Sequence, residues 1–440
     1  MVPHLKTALS GPLLALERRF LEFSAPIEQW LRGQWQEHCP PFYASCDLRN
    51  AGFKLAPVDT NLFPGGFNNL NPAFLPLCVH AAMSAVERFC PSACKLLLIP
   101  ENHTRNLYYL QNVAQLAAIL AQTGLEVRIG SLLPDLAVPR KIELPLGGSI
   151  LLEPLTRHGE RLGLADFNPC AILLNNDLSG GLPALLAGTS DQVILPPLHA
   201  GWFVRRKSRH FAAYDQVSRE FADLLDIDPW LIAPDFVACG ALDFQTRQGE
   251  AALAEAVSGV LEKTRRKYRE YGIDETPYAV IKADAGTYGM GVMTVRDASA
   301  VLGLSRRERN KMSVIKEGQA VSEVIVQEGV PTFETVRDAV AEPVVYLFDR
   351  FVVGGFYRVH TTRGKHENLN SPGMKFEPLA FETGCNLPDC RDNPDAPPNR
   401  FYAYGVIARL ASLAAALELE ATAPAGVEAQ AAAPCLAEAA

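Results

Sequence analysis

From Lys95 onward the chain alternates short apolar runs with a stretch of helical period, and no other feature of the sequence restricts the fold as strongly. "KLLLIP" reads as a buried strand, "TRNLYYLQNVAQLAAILAQTG" as an amphipathic helix stopped by Gly124, and "LEVRIG" as a second strand. Two strands joined through a helix pair in parallel, because a tight turn reverses the chain and a crossover does not. "SILLEPL", "CAILLNN" and "QVILPP" continue the series to about Pro197, so a parallel α/β unit is expected over residues 91–200.

The texture on either side is different. A basic segment, "GWFVRRKSRHF", opens a mainly helical stretch, 201–275, whose last helix ends at "RRKYREYG" with Gly272 as its stop. Residues 276–420 then turn to β: "PYAVIKAD", "GVMTV", "SEVIVQEG", "PVVYLFD" and "FVVGGFYRVHT" read as strands, interrupted by one helical pattern, "ASAVLGLSRRERNKM". One antiparallel sheet with helices packed on it is expected there, which makes the chain α/β in part and α+β overall. The first ninety residues form an N-terminal segment. Its start, "MVPHLKTALSGPLLALERRF", reads as a helix and not a signal peptide, since Glu17, Arg18 and Arg19 follow the apolar patch closely. The alanine-rich residues 421–440 offer little to bury and are expected to be a mobile tail.

Composition removes several classes of function. The chain of 440 residues is 48% hydrophobic, enough for a large core, and its formal charge of −8 repels a polyanion, so nucleic acid is not an expected partner. No run approaches the ~18 uninterrupted apolar residues of a spanning helix. The ten cysteines contain no C-x-x-C pair, the nearest couples being Cys90 with Cys94 and Cys385 with Cys390, and the nine histidines form no H-E-x-x-H pattern. A soluble cytoplasmic protein with reduced thiols is expected, its oligomeric state left open.

Between two strand candidates lies "KADAGTYGMGVMTV", Lys282 to Val295, with Gly286, Gly289 and Gly291. It has neither the P-loop nor the dinucleotide-fold spacing, and no helix follows it. A glycine-rich hairpin lets backbone N–H groups approach phosphate oxygens, and a lysine at the end of an apolar strand loses hydration unless it meets an anion. By itself the stretch fits a plain flexible hairpin equally well. Gln327 and Glu328 close the strand "VIVQE", where polar groups beside open backbone suit an adenine edge, although an ordinary strand end explains them equally well. Arg358 stands on a strand before a polar loop holding Asn368, Asn370 and Gly373; arginine neutralises phosphate and clamps carboxylate, and such a loop can close over substrate. Asp59 and Asn61, two apart, share a face if they lie in a strand and then suit a hard cation, although a turn begun at either explains the pair too.

Together these elements resemble the nucleotide half of an ATP-grasp ligase. With Asp59-Thr60-Asn61 ahead of them and not behind, the order resembles the circularly permuted ATP-grasp of eukaryotic-type glutathione synthetases. From "FYASCDLRNAGFKLAPVDTNLFPGGFNNL" through "VIKADAGTYGMGVMTV" to "ENLNSPGMKFEPLA" the chain looks like the proteobacterial glutamate-cysteine ligase family. The resemblance implies a permuted ATP-grasp core completed by the N-terminal segment, and a parallel α/β substrate domain. It implies that Lys282 and Lys207 contact ATP phosphates, that Gly286, Gly289 and Gly291 cover them, and that Gln327, Glu328 and Val330 hold adenine. Arg49, Arg358, Asn368 and Asn370 would bind substrate, and Asp59, Asn61 and Asp284 would hold Mg²⁺, Asp284 following Lys282 by two residues where glutathione synthetases use four. The implied reaction joins the γ-carboxylate of glutamate to cysteine at the expense of ATP. A glutathione synthetase, and a nucleotide-binding regulatory protein without turnover, are the alternatives.

Overall fold

The computed structural model describes residues 5–6, 12–286, 291–314, 318, 320–379 and 400–424, and of these the side chains of Leu5, Lys6 and Arg400 are not described. Helices and strands are mixed, 37% and 26% respectively. The alternation that begins at Lys95 forms a six-stranded sheet in the order Val193–Leu195, Ala171–Asn175, Lys95–Pro100, Glu126–Ser131, Ser149–Pro154, Arg140–Glu143. All neighbours are parallel except the last pair, an edge hairpin that the sequence pattern did not indicate. Helix Leu107–Ala121 supplies the crossover; Asn106 caps it by accepting the Tyr109 N–H, and Gly124 leaves it at φ +92°, the left-handed region that glycine reaches without strain.

The β-rich C-terminal part makes two antiparallel sheets, not the one expected. Strand Phe236–Cys239, Val324–Glu328, Ala279–Ala283 and Val292–Val295 form a four-stranded sheet in that order. Strands Ala339–Phe348 and Phe351–His360 belong instead to a seven-stranded sheet, which the N-terminal hairpin of Tyr43–Asn50 and Leu55–Asn61 joins by pairing Asp47 beside Val344. Neither hairpin strand was read from the sequence, where "YASCDLRN" mixes polar and apolar residues. The helical pattern 298–312 is broken in two, Ser299–Leu302 and Arg306–Ser313, because Gly303 ends the first and Ser305 with Glu308 forms a capping box that starts the second.

Helix Arg400–Thr422 lies against the hairpin and against helix Lys207–Leu225. Residues Phe401–Thr422 are long and apolar enough to cross a membrane, with a mean hydropathy of 1.3, yet 83% of the most apolar window is buried inside the fold, as a core helix requires. Near its end Glu418 is buried and accepts from Arg205, whose other arm donates to the Thr60 carbonyl, so this helix also braces the hairpin. At the carboxyl ends of the parallel strands Asn175 donates to the Pro64 carbonyl, and Asn112 accepts the N–H groups of Gly66 and Phe67. Through these bonds the parallel sheet is tied to the segment that follows the N-terminal hairpin.

Candidate functional site

The cleft has a volume of about 780 Å³ and lies between the four-stranded and seven-stranded sheets. Strand alternation decides which side chains face it. On the first wall Val280 stands opposite Thr294 and Gln327, and Lys282 opposite Val292, so these five share the cleft face while Ala279, Ile281 and Ala283 enter the core. Burial pushes the Lys282 ammonium down to about 8 from an ordinary 10.5, with the Asp59 charge opposing and the Lys207 charge assisting. Its Nζ donates to the Gln327 Oε1 at 2.6 Å and to the Val58 carbonyl at 2.7 Å. That second contact has a local origin. The register between the hairpin strands slips at Asp47, pairing it with Asp59 and Leu48 with Pro57, so Val58 is an extra residue whose carbonyl is turned to the lysine.

On the second wall Asp47 and Arg49 come from one strand, Asp59 from the next, Glu342 from Ala339–Phe348 and Arg358 from Phe351–His360. Glu342 and Arg358 are cross-strand partners. Arg358 donates to Asp47 at 2.9 Å and to Glu342 at 2.6 Å, and Arg49 takes the other oxygen of Glu342 at 2.9 Å. Arg49 also reaches the carbonyls of Val330, at 3.2 Å, and Glu367, at 2.6 Å. Burial raises the Glu342 carboxyl, but Arg49 and Arg358 outweigh it and hold the group ionised. Asp59 is likewise desolvated, and Lys207, 2.8 Å away, together with Lys282 brings it down to about 2. Asp47, opposite Asp59 and near Glu342, is instead raised, burial being the main cause and Arg358 only a partial offset. The Arg358 Nε and Gln327 Nε2 are both buried without a partner among the described residues.

Of the residues singled out in the sequence, Arg49, Asp59, Lys207, Lys282, Gly286, Gln327, Glu328, Val330, Arg358, Asn368 and Asn370 all line this cleft. Gly289 lies outside the described residues. Gly286 and Gly291 have φ of +95° and +62°, and the Gly291 carbonyl accepts the Ala283 N–H, closing the hairpin below its tip.

Three of these residues sit otherwise than a cleft-facing side chain would. The Glu328 side chain faces away from the cleft, because neighbours along a strand point to opposite sides and Gln327 takes the cleft side. It is 1% exposed, with Lys54 at 2.6 Å, Trp230 Nε1 at 3.0 Å and the Asp235 N–H at 3.0 Å, so only its backbone borders the cavity. Asp284 is outside the cleft as well: its two carboxylate oxygens accept the N–H and hydroxyl of Ser208, each at 2.7 Å, which caps helix Lys207–Leu225 from a distant part of the chain. The Asn61 oxygen accepts the Phe63 N–H and so closes a turn. Among the described residues no group of three or more His, Cys, Asp and Glu forms a metal cluster. The donors that do meet in the cleft are Asp47 and Asp59, directly opposite on adjacent strands. Two carboxylates beside nucleotide phosphates suit Mg²⁺, which keeps much of its water and needs no complete protein cage.

Sequence reasoning missed Asp47, Glu342 and Tyr278, whose hydroxyl accepts from Arg49 at 3.3 Å. Asp47 had a usable signal: it precedes Arg49 by two and, in a strand, must share its face.

The model for the glutamate-cysteine ligase family, GshA, matches residues 17–419. A crystal structure at 1.90 Å of a Methylobacillus flagellatus KT protein, provisionally named gamma-glutamylcysteine synthetase, is 66% identical and superposes with a TM-score of 0.89, covering 96% of this chain and 99% of that one. A glutathione synthetase-like effector from Globodera pallida, in its apo form, is 10% identical with a TM-score of 0.36 over 83% of this chain and 80% of that one, too distant to bear on the assignment. A search of curated protein sequences returns no match.

Proposed function

The chain belongs to the glutamate-cysteine ligase family and is a ligase of glutathione synthesis; from that premise we propose that the cleft between its two antiparallel sheets is where ATP, glutamate and cysteine meet. The observation that carries this is the convergence of Lys207, Lys282, Arg49 and Arg358 with Asp47, Asp59 and Glu342 in one cavity, from five strands and a helix N-terminus that are far apart in sequence.

A carboxylate resists attack by an amine because oxide is a poor leaving group, so the γ-carboxylate of glutamate is first phosphorylated by ATP and the cysteine amine then displaces phosphate. The residues supply position and charge. In this reading the adenine lies on the first wall against Val280, Val292 and the backbone of Glu328 to Val330, in the manner of an ATP-grasp hinge. Lys282 and Lys207 reach the phosphates, and Gly286 and Gly291, having no side chain, let backbone N–H groups approach them. Asp47 and Asp59 would hold Mg²⁺, which would supply positive charge against the phosphates. Arg49 and Arg358, fixed by Glu342, are aimed at the substrate carboxylates, and Asn368 and Asn370 border the same end. A cytosolic compartment, the permuted ATP-grasp ancestry and the division into substrate and nucleotide domains belong to this reading too.

The test is ADP release with ATP and Mg²⁺ in the presence of glutamate plus cysteine, then of γ-glutamylcysteine plus glycine. Turnover with the first pair alone is expected. Turnover only with the second would make the chain a glutathione synthetase, and ATP binding without turnover on either pair would make it a regulatory protein.

A further inference from the structure

Away from the cleft, two thiols face each other across the centre of the parallel sheet. Cys94 immediately precedes strand Lys95–Pro100, and Cys170 immediately precedes its neighbour Ala171–Asn175. The register sets Ala171 beside Leu96, and the Cys170 N–H donates to the Lys95 carbonyl at 2.9 Å. With strands ~4.8 Å apart and a one-residue offset of ~3.3 Å, the two Cα atoms lie about 6 Å apart, a separation that a disulfide spans without backbone movement. The sulfurs are 3.7 Å apart, and both thiols are free.

The two are chemically unequal. The Cys170 sulfur receives the backbone N–H of Cys94 and then that of Lys95, and with the Arg161 charge nearby its thiol is held below the ordinary cysteine value although burial opposes this. The hydrogen bond with Cys170 raises Cys94, which is exposed. A thiol whose ionisation is eased, 3.7 Å from an accessible second thiol, is the arrangement that exchange requires.

We infer that Cys94 and Cys170 form a thiol–disulfide exchange site for low-molecular-weight disulfides. The Cys170 thiolate attacks one sulfur of RSSR, forming a protein–S–SR bond and releasing RS⁻. The Cys94 thiol loses its proton to solvent and its sulfur displaces the second RS⁻, closing the Cys94–Cys170 bond. The two protein sulfurs are oxidised together, and RSSR is reduced to two RSH. The compounds that this ligase handles, cysteine and its γ-glutamyl product, are thiols whose oxidised forms belong to that class.

The site stands at the amino ends of its strands, whereas Asn175, at the carboxyl end, donates to the Pro64 carbonyl just beyond the hairpin strand that carries Asp59 into the cleft. Over a six-residue strand that is about 17 Å. Closing the pair therefore leaves glutamate–cysteine turnover within about twofold.

The experiment equilibrates the intact protein, without oxygen, against buffers of oxidised and reduced glutathione, followed by acid quench, intact mass and peptide mapping. Expected is a loss of two hydrogens with no glutathione retained, a Cys94–Cys170 peptide, full reversal by dithiothreitol, and in Cys94→Ser one glutathione trapped on Cys170. A glutathione adduct that persists in the unaltered protein without ring closure, a bridge to Cys90 in place of Cys94–Cys170, or no reaction at either thiol in fully oxidised buffer would each overturn the inference.

Discussion

Replacing Lys282 with methionine keeps an unbranched side chain, one atom shorter, and removes the charge, and the outcome follows from where that charge sits. Folding lowers the Lys282 ammonium from 10.5 to about 8, chiefly by burial. Between those two values the unfolded chain holds a proton that the folded chain has lost, so the stability contributed by this group rises with pH. Each pH unit above 8 is worth ~1.4 kcal/mol, and at pH 9.5 the native protein has therefore gained about 2 kcal/mol over its value at pH 7. Lys282→Met lacks this gain. The assay is urea unfolding of both proteins at pH 7 and pH 9.5, where the difference between them should move by about 2 kcal/mol in favour of the unsubstituted protein. In the same pair of proteins ADP release should fall at least ~100-fold on substitution, the scale for losing a charge positioned at a transition state. Parallel stability curves would show that Lys282 is not desolvated, and near-normal turnover would remove it from the phosphate site.

Arg358→Ala should lower ADP release at least ~100-fold and cost about 3 kcal/mol or more in urea unfolding, since Asp47 and Glu342 lose their shared partner; a stability change without an activity change would confine Arg358 to a structural role. Asp284→Ala should cost about 1 kcal/mol, the usual effect of a lost helix cap, and leave the Mg²⁺ requirement of turnover where it was; a tenfold rise in that requirement would restore Asp284 to the metal site. Lys54→Met leaves the buried Glu328 carboxylate unpaired and should cost about 3 to 5 kcal/mol, most of it recovered in the Lys54→Met/Glu328→Leu double variant, and absence of recovery would argue against the pair as the source of the loss.

The sequence made the parallel sheet legible because two of its central strands, Lys95–Pro100 and Ala171–Asn175, carry continuous apolar runs, and a helix or a marked loop sets each strand apart from the next. The cleft was legible where a residue type is unusual for its place: a lysine in an apolar strand, glycines in a run, an arginine between "FY" and "VHT". Three kinds of information were hidden. Register was one, since Asp47 and Asp59 oppose each other only because of the slip at Leu48. Long-range capping was another: Asp284 sits beside Lys282 in the chain, but the group that claims its oxygens is Ser208, 76 residues away. The third was available and unused. Gln327 and Glu328 are adjacent in a strand, so only one of them could turn a side chain to the nucleotide, and the partner of the other, Lys54, is 274 residues distant.

The N-terminal hairpin bears on how this molecule comes into being. Arg49 meets Glu342 across 293 residues, and Arg358 meets Asp47 across 311. All strands of the parallel sheet lie within residues 95–195 and can pair while the remainder of the chain is still on the ribosome, but the hairpin must wait for Ala339–Phe348 to be translated before it has an edge to join. The cavity between the two antiparallel sheets is accordingly among the last things made. A chain cut short before Phe351–His360 lacks Arg358 and the strand that pairs along Ala339–Phe348, so Asp47 and one oxygen of Glu342 are left without the cation that joins them.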